Sequence, residues 1–384
     1  MDCASYGASN SSGPVRIGID AHAVERDGTG NCTYMRNLLK HVAEVDGENR
    51  YTLYAIDAAH PFYSSLRGSP NITVRSMRTR NPVIRVPVEL GLRTLFDDLD
   101  VLHVQYVAPP WFRGRLVVTI HDLAFLHVPD SFKRLEALRL RILVPRNARR
   151  ADCVITDSEF SKRELIERYG IHPERVSVIR IGVDTREEPR DVTTVLRRHG
   201  IRRPFILTVG RLDRRKNLAR VLDGFSLARS RRALPHQLVI VGKDDSFANQ
   251  LPARVRLAGL QEVVVRTGFL PDEDLAAVLR AADALVYVSL FEGFGLPMIE
   301  AMAVGCPVVA SGSSCIPEIA GDAALLVDPL SVDAIAAGIE RILSDAELRS
   351  ELVRRGLARA TLFSSRQSAE RTVQLYRRLQ RESL

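Results

Sequence analysis

Cysteine and lysine are scarce in this sequence of 384 residues, and each shortage limits what the protein can be. The five cysteines are scattered without a CxxC pair, which favours free thiols in a reducing cytoplasm over a disulfide framework or a zinc site. Only five of the 54 basic residues are lysines, and the net charge of +8 is spread over both halves of the chain. Without a basic stripe or tail, the sequence does not predict binding to nucleic acid, although a weak attraction to anionic lipid or nucleotide is expected.

Long apolar runs are also absent from the sequence. No stretch approaches the roughly 20 apolar residues that cross a bilayer, and residues 1–14 lack the basic start and apolar run of a secretory signal. We therefore expect a cytoplasmic protein whose residues 1–14 form a disordered tail, with an ordered cap as the alternative.

What the sequence does contain is a regular alternation of short apolar segments and longer amphipathic ones. The amphipathic segments, such as 33–44 and 271–283, are typical of helices. Short apolar strands that alternate with such helices predict an α/β protein with parallel sheets covered on both faces. The predicted strands are 15–20, 51–56, 72–77, 101–106, 116–122, 153–158, 176–182, 204–210, 237–242, 263–269, 284–289 and 306–311.

A polar segment without a strand, residues 183–203, divides this pattern into two doubly wound units of similar size. We predict an N-terminal domain over residues 15–190 and a C-terminal domain over residues 191–363. A final helix over residues 364–384 is expected to pack back on the N-terminal domain. Ligands of open parallel sheets bind beyond the carboxyl ends of the strands, so two facing sheets predict a site in the cleft between them.

The most informative stretch is VSLFEGFGLPMIEAMAVGCP (288–307), which runs from a strand into a helix. Pro297 suits the first turn of that helix, and Gly305 suits the left-handed residue that ends it. Gly293 and Gly295 have no Cβ, so the backbone N–H groups before the helix can approach an anion such as phosphate.

Two carboxylates, Glu292 and Glu300, flank this phosphate-binding turn. A carboxylate is a poor neighbour for phosphate but a good acceptor for sugar hydroxyls, so the pattern predicts a ligand that carries both. Glu300, one turn into the helix, suits a ribose diol, and Glu292, on the loop, suits a second sugar. Taken singly, the two residues would be a helix cap and a solvated glutamate, but their combination favours binding.

Basic residues follow another strand in TVGRLDRRKN (208–217). Arg211 and Lys216 at a strand end can neutralise a diphosphate, although such a turn is merely solvated in most proteins. Arg214 and Arg215 are expected to lie on the surface.

Three further segments follow predicted strands. DGTGNCTY (27–34) has two glycines at a helix start, but a threonine replaces the third glycine of a dinucleotide fingerprint. His121 is placed to face a cleft, with a buried, hydrogen-bonded histidine as the alternative. In TDSEFSKREL (156–165), Asp157 or Ser158 is expected to be a structural helix cap.

Together these motifs, above all EGFGLPMIE (292–300), resemble the retaining glycosyltransferases of family 4, and the similarity extends from about Val15 to Tyr376. That family has the GT-B fold, two Rossmann-like domains with a nucleotide sugar in the cleft. The resemblance implies transfer of a hexose from a nucleotide diphosphate sugar to an acceptor hydroxyl, with retained configuration and without a metal or other cofactor.

The resemblance also implies roles for individual residues. Arg211 and Lys216 would stabilise the departing diphosphate, while Glu292 and His121 would lie near the transferred sugar. The departing phosphate would take the proton of the acceptor in a same-face substitution. Donor contacts would come from Gly28, Gly30, Gly210, Gly268, Phe269, Leu270, Gly293, Phe294, Gly295, Leu296 and Glu300.

Substrate identity is implied more loosely. The likeness to bacterial enzymes of surface polysaccharide assembly favours GDP-mannose, with UDP-glucose and related donors next, and a saccharide or lipid-linked saccharide as acceptor. Tyr106, Trp111 and Phe112 could stack on that acceptor. A nucleotide-sugar epimerase of the same fold and a non-catalytic nucleotide-sugar sensor are the alternatives.

One segment, FKRLEALRLRILVPRNARR (132–150), combines leucines at helical spacing with seven basic residues. A basic amphipathic helix can lie on anionic lipid at the inner face of a membrane. The more common arrangement is a helix whose leucines face the core and whose arginines point outward. The sequence leaves both arrangements open.

Overall fold

The computed structural model describes residues 13–184 and 191–382. Residues 1–12 of the predicted tail, 185–190 of the predicted linker and 383–384 of the predicted final helix lie outside them. The strands are β1 Arg16–Asp20, β2 Arg50–Ala55, β3 Ile72–Ser76, β4 Val101–Gln105, β5 Arg115–Thr119, β6 Cys153–Thr156, β7 Val176–Val178, β8 Phe205–Val209, β9 Gln237–Val241, β10 Val264–Gly268, β11 Ala284–Tyr287, β12 Val308–Ser311 and β13 Leu325–Val327.

These strands form two parallel sheets, which confirms the predicted α/β fold class. The seven-stranded sheet has the order β3-β2-β1-β4-β5-β6-β7, and the six-stranded sheet has the order β10-β9-β8-β11-β12-β13. We call the parts of the chain around them the N-terminal unit and the C-terminal unit. In each sheet the strand order reverses at one place, between β1 and β4 and between β8 and β11, and this switch point is where such sheets bind ligands.

Helices lie between the strands and cover both faces of each sheet. They are α1 Gly30–Val45, α2 Pro61–Ser64, α3 Pro82–Ile84, α4 Gly91–Phe96, α5 Ala124–His127, α6 Arg134–Arg150, α7 Glu159–Tyr169, α8 Val192–Arg198, α9 Leu218–Arg232, α10 Leu251–Leu257, α11 Asp272–Ala281, α12 Leu296–Ala303, α13 Ile316–Ala320, α14 Val332–Ser344, α15 Ala346–Ala360 and α16 Ser365–Arg381. A π-helix, Arg85–Leu90, joins α3 to α4. None of these helices is both long and apolar enough to cross a membrane.

All twelve predicted strands are present, and β13 is the strand that the prediction missed. It has three residues at the edge of its sheet, too few for an apolar pattern to stand out. Central strands such as β4 and β6 are buried along their whole length, because helices cover both faces. This complete burial explains why apolar runs, and not alternating ones, marked the strands.

The final helix, α16, returns from the C-terminal unit and packs on α1 of the N-terminal unit. The hydroxyl of Tyr376 lies 2.5 Å from Nδ1 of His103 on β4. Burial lowers the pKa of His103 to about 3, so this ring is neutral and can share hydrogen bonds in the core. At the rim, Arg377 pairs with Asp46 at 3.0 Å.

The carboxyl ends of the two sheets face each other, and the loops that follow them are in contact. Nζ of Lys243, after β9, donates to the carbonyl of Asp27, after β1, at 2.6 Å. The Glu318 carboxylate on α13 accepts hydrogen bonds from the N–H groups of Glu159 and Phe160 at 2.9 Å each, at the start of α7. The loops of the predicted site therefore meet between the two units.

Candidate active site

The centre of the site is a buried ion pair at the switch point of the C-terminal sheet. Loop 210–217 follows β8, loop 288–295 follows β11, and these two strands are neighbours. The pairing brings Nζ of Lys216 to 2.5 Å from Oε1 of Glu292 and to 3.2 Å from the Tyr287 hydroxyl. Two residues that the sequence places 76 positions apart are thus in direct contact.

Arg215 was expected on the surface, and this expectation is wrong. Its side chain is only 20% exposed, and Nη1 lies 3.6 Å from Oε2 of Glu292 and 3.5 Å from Oδ2 of Asp122 in the N-terminal unit. The turn is a 3-10 helix, Arg214–Lys216, in which neighbouring side chains point in different directions. Arg214 is half exposed, beside Asp130, while Arg215 links the two units through a chain of alternating charges.

The two cations determine the charge of Glu292. Burial alone would raise the pKa of this carboxyl, but attraction to Lys216 and Arg215 outweighs burial and lowers the pKa to about 2. The pKa of Arg215 is raised in turn, since attraction to the neighbouring carboxylates outweighs burial. Glu292 is therefore a carboxylate at neutral pH, able to accept hydrogen bonds from hydroxyl groups while the two cations face an anion.

The lowered pKa of Glu292 predicts a specific loss of stability in acid. The folded pKa, about 2, is below the ordinary glutamate value of 4.5, so the stabilisation is complete above pH 4.5 and is lost as the pH falls toward 2. The shift corresponds to about 3 kcal/mol. We expect urea unfolding between pH 5 and pH 3 to show a shallower loss of free energy in Glu292→Gln than in the unchanged protein. Exposed Glu347→Gln is the control, and equal slopes for both variants would contradict the assignment.

The glycine turn before α12 is pressed against the N-terminal unit. A Cβ on Gly293 would lie 2.5 Å from the carbonyl oxygen of His121, so only glycine allows this approach. Gly295 has φ of +101° and is the N-cap of α12, and Pro297 lies in the first turn of this helix, as predicted. Phe294 is buried and packs edge-on against Phe363, so it contributes to the core with its ring and faces the turn only with its backbone.

His121 is buried, with Nδ1 2.7 Å from Oδ2 of Asp157 and Nε2 3.4 Å from Oε1 of Gln105. Burial would lower the pKa of the imidazole, but the Asp157 carboxylate outweighs it and the pKa is raised. The sequence predicted Asp157 or Ser158 as the cap of α7. Ser158 is that cap, which confirms the prediction, and Asp157 instead holds the His121 ring. Because β5 and β6 are adjacent parallel strands, residues shortly after their ends meet, but a single sequence does not specify which strands are adjacent.

The structure brings the predicted glycine loop of the N-terminal unit to the C-terminal unit. Gly28 lies against Lys243 and Phe269 of the C-terminal unit. A Cβ on Gly28, which has φ of +73°, would lie 3.0 Å from Cε of Lys243 and 3.0 Å from the ring of Phe269. The ammonium of Lys243 lies 4.9 Å from the centre of that ring. A Cβ on Gly30 would lie 3.9 Å from Cδ1 of Leu296. Four residues predicted to bind the donor therefore lie close together between the two units. They are Gly28, Gly30, Phe269 and Leu296.

Other predicted residues are placed less directly. Arg211 is half exposed and pairs with Asp245 at the rim of the site. Gly210 leaves room for the ion pair, because a side chain at this position would collide with Lys216. A Cβ there would lie 2.9 Å from Cε of Lys216. Gly268 ends β10 with φ of +75°, and Leu270 beyond it is buried.

Glu300 lies on α12 and lines a small cavity with Asp184, Leu279 and Val304. A larger cavity of about 660 Å³ lies between Val128 and residues 326–330, and the predicted site residues do not line it.

The predicted acceptor residues are divided between two places. The Tyr106 ring is partly buried, with its centre 5.9 Å from that of His121. Trp111 is half exposed and rests on Gly91, where a Cβ would lie 3.0 Å from Nε1. Phe112 packs against the core of the N-terminal unit.

Comparison with known proteins agrees with this geometry. Residues 194–359 match the family "Glycosyl transferases group 1", and residues 32–187 match "Glycosyltransferase Family 4". The chain is 32% identical to O-antigen chain mannosyltransferase B of Escherichia coli over 69% of its own length and 71% of that protein. It is 32% identical to the MMP alpha-(1->4)-mannosyltransferase of Mycolicibacterium hassiacum over 60% of its length and 55% of that protein. The fold matches that of Anabaena HepE, solved in complex with UDP-glucose, with a TM-score of 0.72 and 19% identity over 94% of this chain and 98% of that one.

Proposed function

Because the chain belongs to the group 1, or family 4, glycosyltransferases, which are hexosyltransferases, we propose that it transfers mannose from a nucleotide diphosphate sugar with retained configuration. The observation that carries this proposal is the buried cluster of Lys216, Arg215 and Glu292 at the switch point. Such a cluster offers cations to a diphosphate and a carboxylate to sugar hydroxyls, and a nucleotide sugar carries both groups.

In the proposed reaction, charge builds on the nucleotide diphosphate as the bond to the sugar breaks. Lys216, Arg211 and the start of α12 at Gly295 stabilise that charge, which is an electrostatic task that needs no metal. Glu292 and His121 hold the hydroxyls of the transferred hexose from opposite units. The departing phosphate takes the proton of the acceptor hydroxyl, so no protein base is required.

The donor is bound by both units in this proposal. Glu300 accepts hydrogen bonds from the ribose, and the segment Gly268–Leu270 packs on the base. Gly28 and Gly30 approach the diphosphate from the N-terminal unit in this proposal, and their positions beside Phe269 and Leu296 support it. We keep the domain division at residues 15–190 and 191–363, with residues 364–384 packing back, and propose that the acceptor binds to the first of these domains.

GDP-mannose is the proposed donor, because two relatives are named mannosyltransferases. UDP-glucose is the next candidate, since the structural neighbour HepE was solved with it. The acceptor is proposed to be a saccharide or a lipid-linked saccharide of a cell-surface polysaccharide, consistent with the O-antigen named for the first relative. We place the enzyme in the cytoplasm, at the inner face of the membrane, which agrees with the four free, buried cysteines of the described residues.

Calorimetric binding of GDP, UDP, GDP-mannose and UDP-glucose tests the donor, first without metal and then with magnesium. Selective binding of GDP and GDP-mannose without metal would support the proposal. Selective binding of UDP and UDP-glucose would show that the donor is a UDP-sugar and not GDP-mannose. Product analysis then separates the alternatives. An epimerase consumes the donor without forming a glycosidic bond, and a sensor binds the donor without turnover.

Substitution of Glu300 tests the site at the ribose. We expect Glu300→Ala to weaken nucleotide binding by about 10- to 100-fold, the worth of hydrogen bonds to a charged acceptor. Turnover at saturating donor should change much less. Calorimetry with the preferred nucleotide measures the effect, with exposed Glu347→Ala as the control. Unchanged affinity for the nucleotide in Glu300→Ala would remove this residue from the site.

A further inference from the structure

Exposed large apolar side chains are concentrated on one part of the N-terminal unit. They lie on the helical segment 82–96, formed by α3, the π-helix and α4, and on α6. We call these side chains the apolar face: Val83, Ile84, Val88, Leu92, Leu95, Phe96, Leu135, Leu138 and Ile142. Exposed apolar side chains are ordinary when scattered, but a contiguous group of this kind marks a surface that contacts a partner.

The orientation of α6 is the clearest sign. The more common arrangement, with leucines toward the core and arginines outward, holds for only part of this helix, where Leu140 packs against the core. Leu135 is 82% exposed, and Leu138 and Ile142 follow it at spacings of three and four on the same helical face. The fully buried side chains of α6 are Ala137, Val144, Asn147 and Ala148. Core packing therefore does not account for Leu135, Leu138 and Ile142.

The two parts of the apolar face are neighbours in the fold. Nη2 of Arg139 on α6 lies 3.4 Å from the carbonyl oxygen of Pro82, at the start of the segment. Trp111, half exposed, rests on Gly91 within the segment and extends the face. One surface of the molecule thus carries two adjacent helical elements with apolar side chains directed outward.

Basic side chains surround this face. The exposed ones on the same two elements and just before them are Arg78, Arg80, Lys133, Arg134, Arg141, Arg146, Arg149 and Arg150. Two of the nearby acids are turned away, since Glu89 accepts from the backbone N–H groups of Arg78 and Thr79 and Asp97 accepts from the Tyr54 hydroxyl. The exposed Asp98 is paired with Arg16. Glu136 is exposed among the basic residues. The balance of charge around the face is positive.

We propose that the apolar face lies on the surface of an anionic phospholipid bilayer, with its apolar side chains at the boundary between headgroups and acyl chains. Apolar burial and attraction of arginine and lysine to acidic lipid act together there. The purpose of this contact rests on the proposed function. Arg85, in the same segment, pairs with Asp20 at the carboxyl end of β1, so the face begins at the rim of the cleft. A lipid-linked acceptor would reach the cleft from that side.

Flotation of the full chain with vesicles tests the proposal. Phosphatidylcholine vesicles are compared with vesicles that also contain phosphatidylglycerol, at low and high salt. We expect binding only to the anionic vesicles, weakened by salt. The triple variant Leu135→Ser, Leu138→Ser, Ile142→Ser should lower the partition coefficient at least about tenfold. Leu257→Ser is the matched control, because Leu257 is also 82% exposed but lies on α10 of the C-terminal unit.

The contribution of charge is tested separately with Arg134→Glu and Arg141→Glu. Each substitution should weaken vesicle binding at least about fivefold, because that is the effect of losing one basic residue near an anionic surface. Arg354→Glu on α15 is the control. Equal binding of the triple variant and Leu257→Ser, or no binding to anionic vesicles, would overturn the proposal. So would a stable dimer, seen by sedimentation, that the triple variant converts to monomer, because a second copy would then cover the face.

These experiments are independent of the proposed function. The substituted residues lie outside the ion-pair cluster, so nucleotide binding and transfer to a short, lipid-free saccharide should be unchanged in the triple variant. Loss of vesicle binding with retained transfer would support the membrane contact. Vesicle binding in a protein that transfers no sugar would refute the proposed function and leave the membrane contact standing.

Discussion

Replacing Lys216 by alanine is expected to lower the turnover of sugar transfer by about 100- to 1,000-fold, the typical effect of removing one group that stabilises transition-state charge. Lys216 contacts Glu292 and Tyr287 in a buried setting, so its charge is only weakly screened. The negative charge of the nucleotide diphosphate grows as the sugar departs. The lysine should therefore matter more for turnover than for binding of the donor. Steady-state kinetics at saturating donor and acceptor measure kcat, and calorimetry measures nucleotide affinity.

The same turn offers a matched control for this experiment. Arg214→Ala removes a neighbouring cation that is half exposed and lies beside Asp130, and it should leave turnover within about twofold of the unchanged protein. Lys216→Arg separates charge from shape and should recover part of the activity. A similar loss of turnover in Arg214→Ala and Lys216→Ala would mean that the turn acts through its conformation. Full activity of Lys216→Ala would exclude this residue from catalysis.

The features that could be predicted from the sequence are those encoded locally. The alternation of apolar strands and amphipathic helices predicted both sheets, because parallel strands are buried along their length. Glu292 and Lys216 could be singled out since each follows a strand end, and the parallel topology then brings such ends together. Contact between these two side chains follows from strand order, which a single sequence does not specify.

The features that could not be predicted depend on how distant parts of the chain meet. Arg215 lies between Glu292 and Asp122 only because the two units face each other in this arrangement. Asp157 reaches His121 only because β5 and β6 are adjacent. The outward direction of Leu135 depends on which face of α6 packs on the sheet, and the amphipathic pattern of 132–150 allowed either arrangement.

Another contact of this distant kind is the ion pair between Asp20 and Arg85, which sequence reasoning did not find. Nη1 of Arg85 lies 2.6 Å from Oδ1 of Asp20, and both side chains are almost completely buried, 2% and 1% exposed. Nδ1 of His22 lies 3.0 Å from the other carboxylate oxygen. Burial raises the pKa of Asp20, but attraction to His22 and Arg85 outweighs it and holds the pKa well below its ordinary value. The pair fixes segment 82–96 to the carboxyl end of β1.

Replacing Arg85 by methionine is expected to lower the free energy of unfolding by about 3–5 kcal/mol, because it removes the guanidinium paired with the buried Asp20 carboxylate and leaves only His22 beside it. Arg231→Met, which breaks an exposed pair with Asp333, should cost less than about 1 kcal/mol. Urea unfolding followed by circular dichroism measures both. The double variant Asp20→Asn, Arg85→Met should be more stable than Arg85→Met alone, since no charge then remains buried and unpaired. If Arg85→Met were no more harmful than Arg231→Met, segment 82–96 would be held by apolar packing, and its link to the cleft would not depend on charge.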